Sequence, residues 1–269
     1  MNSFEIVASS TESTVVAEYT PEKRKSTDYQ SEAELENDFI NRLEDQGYKY
    51  ITIKNEQDLI DNLRKQLEKL NNYTFLDKEW NDFYSSVISN GNDGIIEKTR
   101  KIQEEHIQNL IMDNGYVKNI KLIDKTNIHN NYLQVINQYE EDEGKHGTRY
   151  DVTILVNGLP LVHIELKKRG NSIREAFNQI NRYQRDSFWA GSGLFQFVQL
   201  FVISNGTHTK YYSNTTRFQH IKDNAEKNVA KKKKLPTVLN SRVIGQMRKI
   251  KQFLTLWTLL KHFLQNIRF

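Results

Sequence analysis

Cysteine is absent from this sequence of 269 residues, and proline occurs only three times. Without cysteine the chain forms no disulfide bonds, and zinc or iron–sulfur sites built on thiolates are excluded. No run of about 18 apolar residues occurs, so the sequence predicts no transmembrane helix. The first residues also lack the basic region and the apolar run of a signal peptide. These absences lead us to expect a cytoplasmic protein that does not bind membranes.

Acidic residues are scarce in the C-terminal part of the chain. From Arg217 onward there are thirteen Lys/Arg against two Asp/Glu, whereas the residues before it hold 25 basic and 32 acidic side chains. The net charge of +4 therefore comes from this basic tail, over residues 217–269. If the body of the protein binds DNA, it needs a local basic groove, because its overall charge is negative.

The first half of the sequence has mainly helical periodicity. Residues 1–28 are polar and lack periodicity, which is typical of a flexible leader. Ser31 and Glu34 have the spacing of a capping box, so we expect a helix that begins there and ends at Gly47. Further patterns follow: they predict a short strand over 48–53 and helices over 58–70, 77–88 and 93–112.

The second half alternates between apolar and polar residues, as strands do. Asn157-Gly158 separates two such runs, which is a strong signal for a two-residue β-hairpin. The predicted strands cover residues 120–124, 133–139, 150–156, 161–167, 197–204 and 209–212. A helix is predicted over 173–185, between the hairpin and the last two strands. This order predicts an α/β sandwich around a mixed sheet.

The hairpin carries three charged residues that suit phosphodiester hydrolysis. Asp151 opens the first strand, and Glu165 and Lys167 lie two residues apart on the second, so both project from one face. The turn brings Asp151 near Glu165, and two converging carboxylates form an oxygen-rich site suited to Mg²⁺. A neighbouring lysine can orient a water molecule and stabilise charge on a phosphate.

The same spacing has a plainer interpretation, because short patterns of two acids and a lysine match often by chance. Asp151, Glu165 and Lys167 are then ordinary surface charges on a half-exposed hairpin. Against this, Val162, Ile164 and Leu166 occupy the opposite face and indicate a buried strand, in which unpaired charges are costly. Lys168 and Arg169 fit a solvated or phosphate-facing position better than a catalytic one.

The run from Arg149 through Asp151, Glu165 and Lys167 to Lys168 resembles a known nuclease motif. It is similar to that of the restriction (R) subunits of type I restriction–modification enzymes, in the PD-(D/E)xK superfamily. Tyr150 stands where the superfamily's usual proline would be. The resemblance implies that Asp151 and Glu165 are catalytic ligands of Mg²⁺ and that Lys167 is the catalytic lysine.

A second motif follows in the predicted helix. Gln179 and Tyr183 match the Q-x-x-x-Y motif of these subunits, and their i, i+4 spacing puts them on one helix face. The resemblance implies that both support the site or contact DNA, although a solvated Gln179 and a core Tyr183 would also explain them. A glutamate of the first helix often faces the metal in this superfamily. Glu32 and Glu36 are both candidates.

The resemblance covers residues 29–216 and implies a restriction-endonuclease-like fold: a mixed β-sheet flanked by helices, with extra N-terminal helices. Double-stranded DNA is the implied substrate, and the specificity and methyltransferase subunits of a prokaryotic, cytoplasmic restriction complex are the implied partners. The family's full-length R subunits also use ATP to move DNA. The phosphate-binding motif G-x-x-x-x-G-K-[S/T] that this requires is absent from the sequence, so we expect a chain cut before the motor.

The tail allows two interpretations. Lys231–234 and the apolar stretch 253–263 fit a basic, partly helical segment that contacts DNA. Alternatively, the tail is read in a shifted frame: residues 257–268, back-translated with codons offset by one base, resemble the segment between nuclease and motor in the family. We expect this tail to be poorly ordered and dispensable for the nuclease fold.

Three functions therefore compete. The first is a Mg²⁺-dependent endonuclease domain of a type I R subunit. The second is a catalytically idle module, the remnant of a broken gene, that binds DNA or assembles with other subunits. The third is a stand-alone exonuclease or repair nuclease with the same fold. The complete set of Asp151, Glu165 and Lys167 favours the first.

Overall fold

The computed structural model describes residues 4–9, 15–19, 31–141, 148–168, 193–205 and 209–214. The helices are α1 (Glu32–Asp45), α2 (Glu56–Asn71), α3 (Asp77–Phe83), which continues as a π-helical turn (Tyr84–Ile88), and α4 (Ile95–Gln103). The strands are β1 (Phe4–Ser9), β2 (Val15–Tyr19), β3 (Lys49–Tyr50), β4 (Ile107–Ile111), β5 (Val117–Lys121), β6 (Leu133–Glu141), β7 (Thr148–Val156), β8 (Leu159–Leu166), β9 (Leu200–Ser204) and β10 (Thr209–Ser213).

In the described residues, eight of these strands form one mixed sheet in the order β1-β2-β10-β9-β8-β7-β6-β3. Strands β6, β7 and β8 are antiparallel neighbours. Strand β8 pairs in parallel with β9, and β3 pairs in parallel with β6. Strands β4 and β5 form a separate antiparallel pair. The predicted α/β architecture with a mixed sheet flanked by helices is confirmed.

Each face of the sheet buries its own apolar cluster. On one face, α1 contributes Leu35, Phe39 and Leu43, which pack with Ile164 and Val202 of the sheet. The other face carries a larger cluster that includes residues of α2, α3 and α4. Because β8 is central, its side chains are buried on both faces. Any charged residue in this strand is therefore withdrawn from water.

The β7–β8 turn is the predicted Asn-Gly turn. Both residues have positive φ, 52° at Asn157 and 83° at Gly158, as a type I′ turn requires. A Cβ atom on Gly158 would lie 2.6 Å from the Cα atom of Leu63 in α2, so only glycine fits. The buried Asn157 amide donates hydrogen bonds to Asn131 (2.8 Å) and to the carbonyl of Leu122 (3.0 Å). These contacts fix the hairpin that carries the charged residues.

Several sequence predictions differ from the structure. The helix predicted over 93–112 ends with α4, and the chain then forms strand β4, because Asn114-Gly115 makes a second hairpin turn with β5. The strand predicted over 120–124 is β5, which begins three residues earlier. The strand predicted over 48–53 is reduced to β3, and the strand predicted over 197–204 begins at β9, after a 3-10 turn.

The predicted leader also contains regular structure. Strands β1 and β2 pair with each other, and β2 pairs with the edge strand β10. Phe4, Ile6, Val7, Val15 and Val16 explain this, because aromatic and β-branched residues favour strands when a sheet edge is available. Among the helices in the described part of the chain, none combines the length and apolar character needed to cross a bilayer.

Candidate active site

Strand β8 places Glu165 and Lys167 in the interior of the protein. Glu165 is fully buried and Lys167 keeps only 9% of its surface exposed. Ile164 and Leu166 point to the cluster beneath α1, so the period of two along a strand turns Glu165 to the other face. Lys167 follows immediately after β8. For Glu165 and Lys167 the interpretation as half-exposed surface charges is therefore wrong, because both groups are withdrawn from solvent.

Asp151 lies beside Glu165 because of the register of β7 and β8. Val152 pairs with Ile164, and the next position along the hairpin brings Asp151 opposite Glu165. An oxygen of Asp151 accepts a 2.8 Å hydrogen bond from the backbone N–H of Leu166. Burial first, and the charge of Glu165 second, raise the pKa of Asp151 to about 7. The structure thus brings the two predicted carboxylates together at the end of the hairpin.

Glu165 is held between cationic and acidic neighbours. Its Oε1 atom lies 3.4 Å from Lys167 Nζ, which also donates a 3.1 Å hydrogen bond to the carbonyl of Leu166. Burial raises the pKa of Glu165 to about 7, although Lys167 and a hydrogen bond with Asp151 act in the opposite direction. Within the described residues, the Oε2 atom of Glu165 has no hydrogen-bond partner. A buried carboxylate oxygen without a donor is costly and favours a cation nearby.

Helix α1 brings both candidate glutamates to this end of the sheet. Glu36 is buried and accepts hydrogen bonds from the side chains of Asn137 and Gln138 on β6. Burial raises the pKa of Glu36, and the charge of Asp151 raises it further, so the two acids are near enough to interact. Glu36 is the inner of the two glutamates.

Glu32 lies at the rim of the site. It is exposed and accepts a 3.2 Å hydrogen bond from the backbone N–H of Lys168. Its charge raises the pKa of Glu165. Lys168 itself is half-buried beside the site. The sequence does not indicate which of the two glutamates lies nearer the site. In the structure Glu36 is buried, whereas Glu32 is exposed.

Sequence reasoning missed three polar residues around the site. Asn137 and Gln138 hold Glu36, and Gln138 has a left-handed backbone with φ of 52°. No local signal in the sequence indicated either residue. His163 is fully buried on β8, with its Nε2 atom 3.4 Å from Glu165 Oε2. Its position two residues before Glu165 was the available signal.

The donor set fits a hard divalent cation that keeps several water ligands. Asp151 and Glu165 supply adjacent carboxylates, and an oxygen of Glu165 is unsatisfied. Across residues 31–141, 148–168, 193–205 and 209–214, no three His, Cys, Asp or Glu side chains form a group able to hold an ion alone. Mg²⁺ is commonly bound by one or two carboxylates together with water, so two suffice.

Several predictions lie outside the described residues. They concern Arg169, the helix predicted over 173–185 with its motif residues Gln179 and Tyr183, and the basic tail from residue 217 to 269. The placement of these residues relative to the buried acids stays a prediction.

Comparison with known proteins shows that the sequence carrying this site matches a protein family. Residues 29–220 match the family described as the type I restriction enzyme R protein N terminus. The chain belongs to this family. The match covers α1 to β10 and hence every residue of the site described above. It confirms the resemblance stated from the motifs.

Individual relatives of this R-protein family agree. The EcoprrI endonuclease subunit of Escherichia coli, a type I restriction enzyme subunit, is 48% identical over 212 residues, which are 78% of this chain and 67% of that protein. Type I endonuclease subunits of Staphylococcus saprophyticus and Staphylococcus aureus are 42% and 38% identical over 191 residues, 69% of this chain. The chain spans about two thirds of the E. coli relative and a fifth of each staphylococcal relative.

Proposed function

We propose that this chain is the Mg²⁺-dependent endonuclease domain of a type I R subunit and that it hydrolyses phosphodiester bonds of double-stranded DNA. One observation carries the proposal: Asp151 lies partly buried beside the fully buried Glu165, with Lys167 Nζ 3.4 Å from Glu165. Relatives named as endonuclease subunits support the same class of reaction.

The unfavourable free energy of placing two ionised carboxylates side by side away from water supports a bound cation. Burial raises the pKa of both carboxyl groups to about 7, and the charge of Glu165 adds to the rise at Asp151. A divalent cation between them replaces repulsion by attraction and lets both ionise. Lys167 alone offers one charge and lies beside only one of the two acids. The site is therefore better explained by metal binding than by a role in folding.

The residues divide the chemistry between them. Asp151 and Glu165 would hold Mg²⁺, which when bound supplies positive charge at the phosphate and lowers the pKa of a water molecule. Lys167 donates to Glu165 and to the carbonyl of Leu166, which leaves one of its three ammonium protons for a phosphate oxygen or the attacking water. The backbone N–H of Leu166 fixes Asp151.

Other groups surround this centre. Glu36, anchored by Asn137 and Gln138, adds negative charge next to Asp151 and would strengthen cation binding. We assign Lys168, Arg169, Gln179 and Tyr183 to DNA contact or support of the site. We also propose that the specificity and methyltransferase subunits of the restriction complex are the partners of this domain and choose its DNA target.

Nicking of supercoiled plasmid DNA in Mg²⁺ tests the proposal. We expect the wild-type chain to nick, and Asp151→Asn, Glu165→Gln and Lys167→Ala each to reduce the rate by about 100-fold or more. Asp82→Asn and Lys65→Ala change exposed charges on α3 and α2 and should keep the wild-type rate. A wild-type chain that binds DNA without nicking it would favour the idle binding or assembly module instead.

A further inference from the structure

Strand β8 carries a buried polar side chain that the proposed reaction does not use. His163 is fully buried, two residues before Glu165. Alternation along the strand puts both side chains on one face of the sheet. A histidine inside an apolar core is costly unless its ring nitrogens have polar neighbours. The neighbours of its two nitrogens therefore indicate its role.

Aromatic and polar neighbours fix the plane of the imidazole. Tyr150 lies edge-on to it, with ring centroids 5.3 Å apart and planes at 72°. Phe201 makes a similar contact at 6.3 Å and 74°. Thr153, the cross-strand partner of His163, places its hydroxyl oxygen 3.4 Å from Nδ1. With Nδ1 facing Thr153, the other ring nitrogen, Nε2, is the one that lies toward Glu165.

That direction leads to the proposed metal ligand. His163 Nε2 lies 3.4 Å from Oε2 of Glu165. A neutral imidazole carries a single proton, on one of its two nitrogens. A proton on Nδ1 would leave the Nε2 lone pair facing an ionised carboxylate, which is repulsive. A proton on Nε2 lets the Thr153 hydroxyl donate to Nδ1 and the ring donate toward Glu165.

We propose that Thr153 and His163 are positioning residues that orient the Glu165 carboxylate for a divalent cation. Lys167 lies at Oε1 of Glu165 and His163 at Oε2, so the two groups flank the carboxylate on either side. Both contacts are 3.4 Å long, which is common where a site tightens only with its ligand in place. Groups that orient a metal ligand in this way raise metal affinity without touching the ion. This inference rests on the proposed metal site.

Calorimetric titration of the full chain with Mn²⁺ and Mg²⁺ tests the role without measuring cleavage. We expect His163→Leu to weaken binding by about 10- to 100-fold, which is usual for such supporting residues. His163→Gln keeps an N–H donor and should lose less affinity than His163→Leu. Thr153→Val keeps the shape of the side chain, removes the hydroxyl that fixes the proton on Nε2, and should give a smaller but measurable loss.

Thermal unfolding without metal is the matched readout. Replacing one member of a buried polar pair leaves the other without a hydrogen bond, so each variant should unfold cooperatively at a somewhat lower temperature than the wild type. Wild-type metal affinity in both Thr153→Val and His163→Leu would overturn the positioning role. If His163→Leu does not fold, the metal affinities of Thr153→Val and His163→Gln test the positioning role, and wild-type affinity in both would overturn it. A wild-type chain that binds neither ion would instead refute the metal site itself.

Discussion

At the scale of single residues, the partly buried carboxyl group of Asp151 makes the stability of the metal-free protein depend on pH. Its pKa is raised from 3.8 to about 7 in the folded state. Between these values the folded protein keeps a proton that the unfolded chain releases. The contribution of Asp151 to stability is therefore greatest at low pH, falls as the pH rises from about 4 to about 7, and stays low above that.

Asp151→Asn should remove this dependence. At pH 8 and without divalent cations, we expect the variant to be more stable than the wild type, on the order of 2 kcal/mol. The two proteins should converge below about pH 3, where Asp151 is protonated in both the folded and the unfolded state. Denaturant unfolding at several pH values measures this, with Asp82→Asn as the exposed control. Equal stability at every pH would show that Asp151 carries no such penalty.

In saturating Mg²⁺ the Asp151→Asn variant should be less stable than the wild type, the reverse of the order expected without metal. A ligand that binds only the folded state stabilises it by mass action, and the variant has lost a carboxylate of the site. The combination of a stability gain without metal and a stability loss with metal distinguishes a metal ligand from a poorly packed acid. A gain that persists in saturating Mg²⁺ would contradict the assignment.

Gly158 is the residue at which the hairpin meets α2. Gly158 and Gly115 have nearly the same φ, 83° and 82°, but only Gly158 lies against the backbone of Leu63. Gly115→Ala should cost about 1–2 kcal/mol for the left-handed backbone alone. Gly158→Ala should cost about 1–3 kcal/mol more, because the added methyl overlaps α2. Denaturant unfolding gives both changes in the free energy of unfolding. Equal losses in the two variants would show that α2 shifts to make room for the methyl group without destabilising the protein.

At the scale of elements, α1 depends on its capping box. The hydroxyl of Ser31 accepts a 3.2 Å hydrogen bond from the Glu34 N–H, and the Glu34 carboxylate accepts one of 2.8 Å from the Ser31 N–H. Ser31→Ala should lower the free energy of unfolding by about 1 kcal/mol. Ser31→Asp, an equally good N-cap, should restore it. Unchanged stability in Ser31→Ala would mean that packing alone sets the start of α1.

The hairpin could be predicted from the sequence because local signals agreed there. Asn157-Gly158 indicated the turn, and the apolar residues alternating with Glu165 and Lys167 indicated a buried strand, as found. The pairing of Asp151 with Glu165 then follows from the register alone. The same turn signal occurs at Asn114-Gly115, but the apolar residues of β4 also match helical spacing. The sequence pattern therefore predicts a helix where the structure has a hairpin.

Features that depend on tertiary contacts could not be predicted. Helical spacing shows that Glu32 and Glu36 are on α1, but only packing on β6 shows that Glu36 is buried against Asn137 and Gln138. The strands β1 and β2 form where the edge of β10 is available, which no local pattern reveals. The environment of His163 likewise requires three strands in register.

At the scale of the whole molecule, the nuclease fold should not need the basic tail. The family match ends at residue 220, and the last strand that the structure describes ends at Ser213. A chain ending at residue 220 should unfold within about 2 °C of the full chain. It should also bind DNA more weakly and with less salt dependence, since most of the thirteen basic residues after position 216 are removed. A large loss of stability would make the tail part of the domain.

The central claim is that Asp151 and Glu165 jointly hold a divalent cation. Anomalous diffraction from crystals soaked in Mn²⁺ tests it most directly, because it locates the ion without reference to activity. We predict one strong peak about 2.0–2.6 Å from a carboxylate oxygen of each residue, lost in crystals of Asp151→Asn. Well-diffracting crystals without a peak between these carboxylates, or with the ion bound elsewhere, would contradict the assignment of the active site.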